Sequence, residues 1–389
     1  MPASYDVIVL GLGGMGSSAL WELTQRGHRV LGIEQFPLVH ARGSSHGQTR
    51  IIREAYYEHP NYVPLIRRAY EKWYDLEQRV GRHLLTSCEC LNIGPPGSAV
   101  IEGVRAAAMQ HALSVDECDG EEIHRRYPAF RVPNEYRGIV ERRAGFLYVE
   151  ECVQAHLDCA IAAGAEVRAE LPVVAWTSDG ASVEVTTKTG TYRAAKLIIT
   201  AGAWATQLLQ NIGVPLSIMR QTMLWFPPHD PAQFRRDRFP IYLVDTPNGA
   251  CYGLPMIDPR GMKLARHYGA VEQPTPDGID WTIRDADEVP LRAFLDAYMP
   301  NAHGPRTHGQ ACMYTLTPDR HFVIDMHPQH PNVAIAAGFS GHGFKFASVV
   351  GEILADLTIH GRTPHDIQMF RAGLTRHFAI ENVSKPVKF

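Results

Sequence analysis

Three glycines and one acid in this 389-residue chain have the types and spacing to hold a dinucleotide. Gly11, Gly13 and Gly16 fall in Gly11-Leu12-Gly13-Gly14-Met15-Gly16, a G-x-G-x-x-G pattern. Gly11 suits a tight turn, Gly13 lets a pyrophosphate approach the backbone, and Gly16 lets a helix pack on a strand. Alone the glycines say little, but their flanks are in register. Asp6-Val7-Ile8-Val9-Leu10 reads as a parallel strand buried on both faces. Ser17 to Arg26 is compatible with a helix closed by Gly27, whose N-terminal N–H groups and dipole would face the phosphates. Arg29-Val30-Leu31-Gly32-Ile33 reads as a second strand ending at Glu34, whose carboxylate would accept from ribose hydroxyls. That carboxylate repels a 2′-phosphate, so NADP is disfavoured, while NAD and FAD both remain.

The elements that must position this turn are scattered along the chain. The spacing of Leu65, Ala69, Trp73, Leu76 and Val80 predicts a helix over Tyr62–Val80, and another is expected over Glu150–Gly164. Short strands are expected at Glu166–Arg168, Val173–Trp176 and Val183–Thr187, with a turn at Lys188-Thr189-Gly190. Leu197-Ile198-Ile199 reads as a buried strand entering the small-residue turn Ala201-Gly202-Ala203-Trp204. Val333–Ala337 is another, opening into Gly338-Phe339-Ser340-Gly341-His342-Gly343-Phe344-Lys345 and a helix through Leu357. The expected fold is α/β (α+β overall). A discontinuous nucleotide domain would use residues 1–85, 145–220 and 315–389. A second domain, with a mostly antiparallel sheet, would use 86–144 and 221–314, which are richer in short strands and Pro/Gly turns.

Composition narrows the class. Hydrophobic residues are 45% and charged residues 20%, which is ordinary for a globular protein and excludes a disordered or collagen-like chain. No apolar stretch approaches the ~20 residues of a membrane helix. No basic, cleavable leader precedes Tyr5, and Val387-Lys388-Phe389 is not a peroxisomal ending, so a cytoplasmic location is expected. A net charge of −3 gives no reason to expect nucleic acid. Seven irregularly spaced cysteines do not form a disulfide framework, and Cys88-x-Cys90 lacks partners at zinc spacing, so no metal is expected.

Three further segments carry a resemblance. Gly43-Ser44-Ser45-His46-Gly47-Gln48-Thr49-Arg50-Ile51-Ile52-Arg53, Cys312-Met313-Tyr314-Thr315 and Gly338 through Phe346 closely resemble the monomeric sarcosine oxidase family. That family includes N-methyltryptophan oxidase and peroxisomal sarcosine and pipecolate oxidases. The resemblance runs in order over essentially the whole chain. It implies an FAD domain of the glutathione-reductase type and a substrate domain whose sheet roofs the flavin. It also implies FAD attached covalently through Cys312. Attachment there would need an activated, low-pKa thiol beside positive charge; the other six cysteines are read as packing residues.

The resemblance assigns roles residue by residue. Arg50 is matched to the arginine over the flavin face, and Arg53 to the substrate-carboxylate ligand, which suits a planar guanidinium fork. Arg50 and Arg53 are placed in the loop after the second strand. Lys345 is matched to the second carboxylate ligand. Tyr252, His267 and Tyr314 are matched to the substrate cavity, and His46 and Thr49 to polar proton-relay positions. Lys263 is matched to a lysine over the flavin ring implicated in O₂ activation; on a strand, Lys263, Ala265 and His267 would share one face. Further cofactor contacts are implied for Gly14, Met15, Gln35, Ser44, Ser45, Ile51, Val173, Ala201, Gly202, Trp204, Met313, Phe339, Gly341, Gly343 and Phe344. Ser45 stands where bacterial sarcosine oxidases often have a second His, and Cys251 where many relatives have Tyr.

The expected reaction is oxidation of a secondary amine bearing a carboxylate: sarcosine, O₂ and water give glycine, formaldehyde and H₂O₂. The other readings weighed are the same chemistry on N-methyltryptophan, L-pipecolate or L-proline, an NAD-dependent dehydrogenase, and a non-catalytic flavin-binding protein. A monomer without nucleic-acid or membrane partners is expected.

Overall fold

The structure is a computed structural model that describes residues 5–209, 211–270 and 272–373. The C-terminal Val387-Lys388-Phe389 lies outside the described residues.

The first sheet has eight strands. At its centre Tyr5–Leu10 runs parallel to Gly190–Ile199 on one side and to Val30–Ile33 on the other. Glu166–Arg168 continues the parallel order beyond Val30–Ile33. His330–Ala337 joins Gly190–Ile199 through Leu197, Ile198 and Ile199, again in parallel, and carries Val323–His327 antiparallel beside it. Val183–Thr187 and Val173–Ser178 extend the far edge. Val7, Ile8, Val9 and Leu10 are all buried, as both faces of a covered parallel strand must be.

Helices Gly14–Gln25, Val149–Ala162 and Ala347–His360 pack on this sheet. The first begins at Gly14, inside the glycine pattern, because Gly13 is its N-cap. It approaches the last closely: a Cβ on Gly351 would lie 2.6 Å from the Ser18 carbonyl carbon. The helix over Val63–Val80 starts with Pro64 in its first turn and ends on Gly81, whose φ of 63° is the left-handed cap that glycine adopts without strain. It buries Leu65, Ala69, Trp73 and Leu76, while Val80 is half-buried.

The second sheet has nine strands. From one edge they run Glu272–Gln273, Ser217–Phe226, Met262–His267, Ala250–Leu254, Ile241–Val244, Cys90–Gly94, Arg137–Glu141 and Val115–Asp119, with His308–Leu316 also on Ser217–Phe226. All pairs are antiparallel except Ile241–Val244 with Cys90–Gly94. Alternation along each strand divides the sheet into two faces. Leu91, Ile93, Tyr242, Val244, Leu224, Met262 and Leu264 form one core with Leu291, Phe294 and Leu295 of helix Asp285–Tyr298. The opposite face presents Cys90, Leu243, Tyr252, His267, Cys312 and Tyr314 to a cavity. The helix at 285–298 falls in a segment read from sequence as strands and turns; its start is held by Asp287, whose carboxylate accepts from Arg284 N at 2.9 Å, and the acids Asp285, Asp287 and Glu288 in its first turn were the available signal.

A third, three-stranded sheet joins Thr49–Ile52, Gly145–Tyr148 and Leu85–Ser87. Arg50 therefore sits on a strand rather than in the expected loop, and Arg53 directly follows it. The β-branched pair Ile51-Ile52 suits that pairing.

Candidate active site

One continuous cavity of about 400 Å³ runs from the glycine turn to the second sheet. At the turn, Gly11 has φ 83°, and a Cβ there would lie 2.6 Å from the Thr200 carbonyl oxygen. A Cβ on Gly16 would lie 1.8 Å from the Gly11 carbonyl oxygen, so only glycine lets the helix close on the turn. Gly13 faces open space, with only Ser45 Oγ at 3.5 Å. The Glu34 carboxylate is buried in the cavity wall and accepts from Leu12 N at 2.8 Å and Phe36 N at 3.1 Å. Met15, Gln35, Val173, Ala201, Gly202 and Trp204 line the same end.

The middle of the cavity is closed by the Gly43–Arg53 segment, the Gly338–Lys345 turn and strand His308–Leu316. Gly14, Ser44, Ser45, Ile51 and Met313 are wall residues, as are Phe339, Gly341, Gly343 and Phe344. Ser44 Oγ donates to Met313 O at 2.6 Å and ties two of these segments together. Arg50 donates to Ser44 O at 2.7 Å and Thr49 O at 2.8 Å. Among the described residues no carboxylate pairs with its guanidinium. Cys312 lies in the wall, fully buried, and is the cross-strand neighbour of Gln221. Burial pushes its thiol up, against the pull of Arg50, Lys263 and Arg220. The low-pKa sulfur expected from sequence is therefore not what the chain alone produces, because desolvation outweighs three cations.

The far end gathers charge and aromatic rings. Arg53 is 5% exposed; its Nη2 bridges the two Glu58 carboxylate oxygens at 2.7 Å and 3.0 Å, and its Nη1 donates to Ala55 O at 2.9 Å. Its guanidinium lies 4.5 Å from the Tyr56 ring centroid and 4.7 Å from that of Tyr57. Burial works against the Glu58 charge, yet Arg53, with His342 and Lys345, holds Glu58 down at about 2. Lys345 is buried, and burial with Arg53 pushes its ammonium down to about 7. Burial holds His267 at about 3, so it is neutral near pH 7. Burial also raises the Tyr252 and Tyr314 phenols, which stay protonated. The His267 ring packs 4.0 Å from that of Tyr268 and 6.0 Å from those of Tyr252 and Tyr314.

Four of the residues singled out from sequence do not line the cavity: Gly16, His46, Thr49 and Lys263. His46 is buried beside it, with Nε2 3.1 Å from Gly43 O, and burial plus Arg50 lowers it to about 4. Lys263 shares a sheet face with His267, but Gly47 and Thr49 stand across it. Its ammonium donates to Gly47 O at 2.8 Å and Thr49 O at 2.7 Å, with Thr49 Oγ1 at 3.4 Å. Alternation along a strand gave the direction of Lys263; the backbone that covers it comes from another sheet. Burial and Arg50 push the Lys263 ammonium well down.

These residues fit FAD. The glycine cradle would admit a backbone-hugging pyrophosphate, the Glu34 carboxylate in the cavity wall would accept from ribose hydroxyls, and Arg50 would offer a cation that no carboxylate among the described residues neutralises. The FAD dependent oxidoreductase family model matches residues 6–357. The chain is 43% identical over 375 residues to monomeric sarcosine oxidase of Bacillus sp. strain B-0618, covering 95% of this chain and 96% of the relative. The chain belongs to the monomeric sarcosine oxidase family of FAD-dependent oxidoreductases. Within it, N-methyl-L-tryptophan oxidase of Yersinia pestis strain Pestoides F is 35% identical over 372 residues, covering 94% of this chain and 98% of that one. Among solved structures, the open form of NikD, an amino acid oxidase of nikkomycin biosynthesis, superposes with a TM-score of 0.83 at 25% identity, covering 95% of this chain and 98% of that one.

For this member of the family, sequence reading missed Tyr57, Glu58, Leu243 and His342 in the cavity wall, and took Cys90 for a packing residue. Glu58 had one visible sign, an acid five residues after Arg53. Cys90 and Leu243 had none, since only sheet pairing brings them to the cavity. Among the described residues no cluster is arranged to hold a metal ion, and no helix is long and apolar enough to cross a membrane.

Proposed function

We propose that this protein oxidises sarcosine with O₂ and water to glycine, formaldehyde and H₂O₂. The observation that carries the reading is the convergence of Arg53 and Lys345 at the far end of a cavity whose near end is a dinucleotide turn. Two buried cations suit the carboxylate of a small amino acid. For the carboxylate to take Arg53 Nη2, Glu58 must leave it. The surrounding charge of Arg50, Arg53 and Lys345 disfavours an ammonium, so a bound amine is held neutral, the form that can be oxidised. His267 is itself neutral and adds no charge. Tyr252, Tyr314 and the second sheet exclude water from one side. FAD, when bound, supplies the two-electron chemistry between amine and O₂; the chain supplies position and charge.

Several finer assignments belong to this reading. Of the two cysteines lining the cavity, Cys312 is the one faced by Arg50, Lys263 and Arg220, which supports it as the covalent attachment point for FAD. Lys263 is the candidate for assisting reaction with O₂: burial opposes its charge, but in its protonated form it would stabilise negative charge developing across the Gly47–Thr49 backbone. The first sheet serves as the cofactor domain and the second as the substrate domain. A monomer is part of the reading, as the name of the Bacillus relative says of that protein, and so is a cytoplasmic location.

A second reading keeps the chemistry and changes the substrate to N-methyltryptophan. It is favoured by the Yersinia relative and by the tyrosines at the far end. Anaerobic mixing of the holoenzyme with sarcosine, N-methyltryptophan, proline and pipecolate in parallel decides between them. Sarcosine should bleach the visible flavin band fastest. Faster bleaching by N-methyltryptophan moves the assignment to the second reading, and no bleaching by any of the four removes the oxidase. Arg53→Ala should weaken substrate binding roughly tenfold to a hundredfold, the cost of a charge-assisted hydrogen bond.

A further inference from the structure

Lysine ends in a compact ammonium with three donors on a flexible stem, so aiming one donor requires that the others be occupied. At Lys345 the backbone is anchored first, by Trp73 Nε1 donating to Lys345 O at 2.9 Å. The ammonium then donates to His342 O at 2.9 Å and lies 3.5 Å from Tyr56 Oη. Tyr56 Oη is 2.6 Å from His342 Nδ1. His342 Nε2 is 2.9 Å from Arg320 O. A carbonyl only accepts, so His342 Nε2 carries the proton and Nδ1 is the acceptor. The Tyr56 hydroxyl therefore donates to His342 and turns a lone pair toward Lys345. Both rings are buried, and His342 is wedged against Phe322 with centroids 4.8 Å apart, so neither can easily reorient.

We propose that Tyr56 and His342 are a positioning pair that holds the Lys345 ammonium with one donor aimed at the substrate carboxylate. This rests on the carboxylate clamp of Arg53 and Lys345. Without the His342 acceptor, the Tyr56 proton turns to His342 O, 3.1 Å away, which Lys345 already uses. Without the Tyr56 oxygen, the ammonium loses a lone pair in a site where burial, Arg53 and Arg50 already oppose its charge and Glu58 favours it. Tyr56 and His342 themselves stay neutral. Lys345 must be protonated to hold a carboxylate, so affinity falls as pH rises through its pKa of about 7. A Tyr56 lone pair on the ammonium would favour its charged form and so raise that pH.

Titration calorimetry of the holoenzyme with methylthioacetate, a carboxylate without an oxidisable amine, tests this across pH. Tyr56→Phe and His342→Leu should each weaken binding about fivefold to tenfold, the range for one hydrogen bond. Both should also move the pH above which affinity falls to lower values. His342→Asn, which offers Oδ1 near the Nδ1 position, should restore most of both. Should His342→Leu fail to fold, Tyr56→Phe carries the test. Equal weakening at every pH without rescue by Asn, or no weakening, overturns the pair. Lys345→Met separates the two levels. If it leaves affinity unchanged, the clamp itself falls. If it weakens binding while Tyr56→Phe does not, only the positioning pair falls.

Discussion

Glu58 occupies Arg53 Nη2, which a substrate carboxylate would need, with its two oxygens at 2.7 Å and 3.0 Å from that nitrogen, while Nη1 donates to Ala55 O at 2.9 Å. Ligand binding at this end is thus an exchange of one carboxylate for another. The internal carboxylate is tethered five residues away on the same chain segment, so its local concentration is high.

Glu58→Gln should tighten binding of a carboxylate ligand about tenfold, since a neutral amide competes poorly for Arg53 Nη2. It should also destabilise the protein, because breaking a buried pair leaves an uncompensated charge worth roughly 3–5 kcal/mol. The pH signature follows from the depressed Glu58 carboxyl. Its contribution is fully present above its ordinary 4.5 and is lost as pH falls through about 2. Melting temperature against pH should therefore be flatter for the variant in that acid window. A variant curve parallel to that of the parent protein would show that the pair does not act this way.

Cys312→Ser should leave the fold intact, since a hydroxyl replaces a thiol of similar size in the wall. Its FAD should be held without a covalent bond. Acid precipitation is the measurement: the parent protein should stay yellow and the variant should release its flavin. Flavin retained by precipitated Cys312→Ser would move the attachment elsewhere, with Cys90 the other cysteine lining the cavity.

Lys263→Met should separate two half-reactions. Anaerobic reduction by sarcosine should change modestly, and reoxidation by O₂ should fall by orders of magnitude, because a buried cation is lost where negative charge develops. Stopped-flow traces of both steps check it. The structure adds a second expectation. Met cannot donate to Gly47 O and Thr49 O, so thermal stability should fall by the penalty of buried unpaired acceptors, about 1–3 kcal/mol each. Equal slowing of both half-reactions would mean that only this structural role is real.

Gly16→Ala should abolish tight FAD binding and lower stability by several kcal/mol. The added methyl would stand 1.8 Å from Gly11 O and 2.6 Å from Thr200 Oγ1, so the helix must move off the turn. Gly13→Ala is the control: its Cβ meets nothing closer than 3.5 Å in the protein, so the folded chain tolerates it and only cofactor affinity should drop. Equal melting temperatures for the two variants would contradict this.

Residue order encodes the local features of this fold. Tyr5–Leu10, the glycine turn and Glu34 are adjacent in the chain, and each position answers to backbone sterics or burial that a short stretch of residues expresses. Helix Val63–Val80 and strand His330–Ala337 were legible for the same reason, through apolar periodicity and terminal Pro or Gly. Motif-level resemblance added the cavity residues Arg53, Tyr252, Cys312 and Lys345 without saying how they meet. The remaining contacts join segments far apart in the chain. Glu58 meets Arg53 Nη2 because the segment after Thr49–Ile52 brings the two together, with the Arg53 guanidinium against the rings of Tyr56 and Tyr57. Tyr56 and His342 lie 286 residues apart, and their hydrogen bond exists only because the C-terminal turn packs against the helix that carries Trp73. Cys90 and Leu243 reach the cavity through sheet pairing, and Lys263 is cut off from it by Gly47 and Thr49. No local pattern encodes such contacts, since each depends on where a distant segment comes to rest when the two sheets close around the cavity.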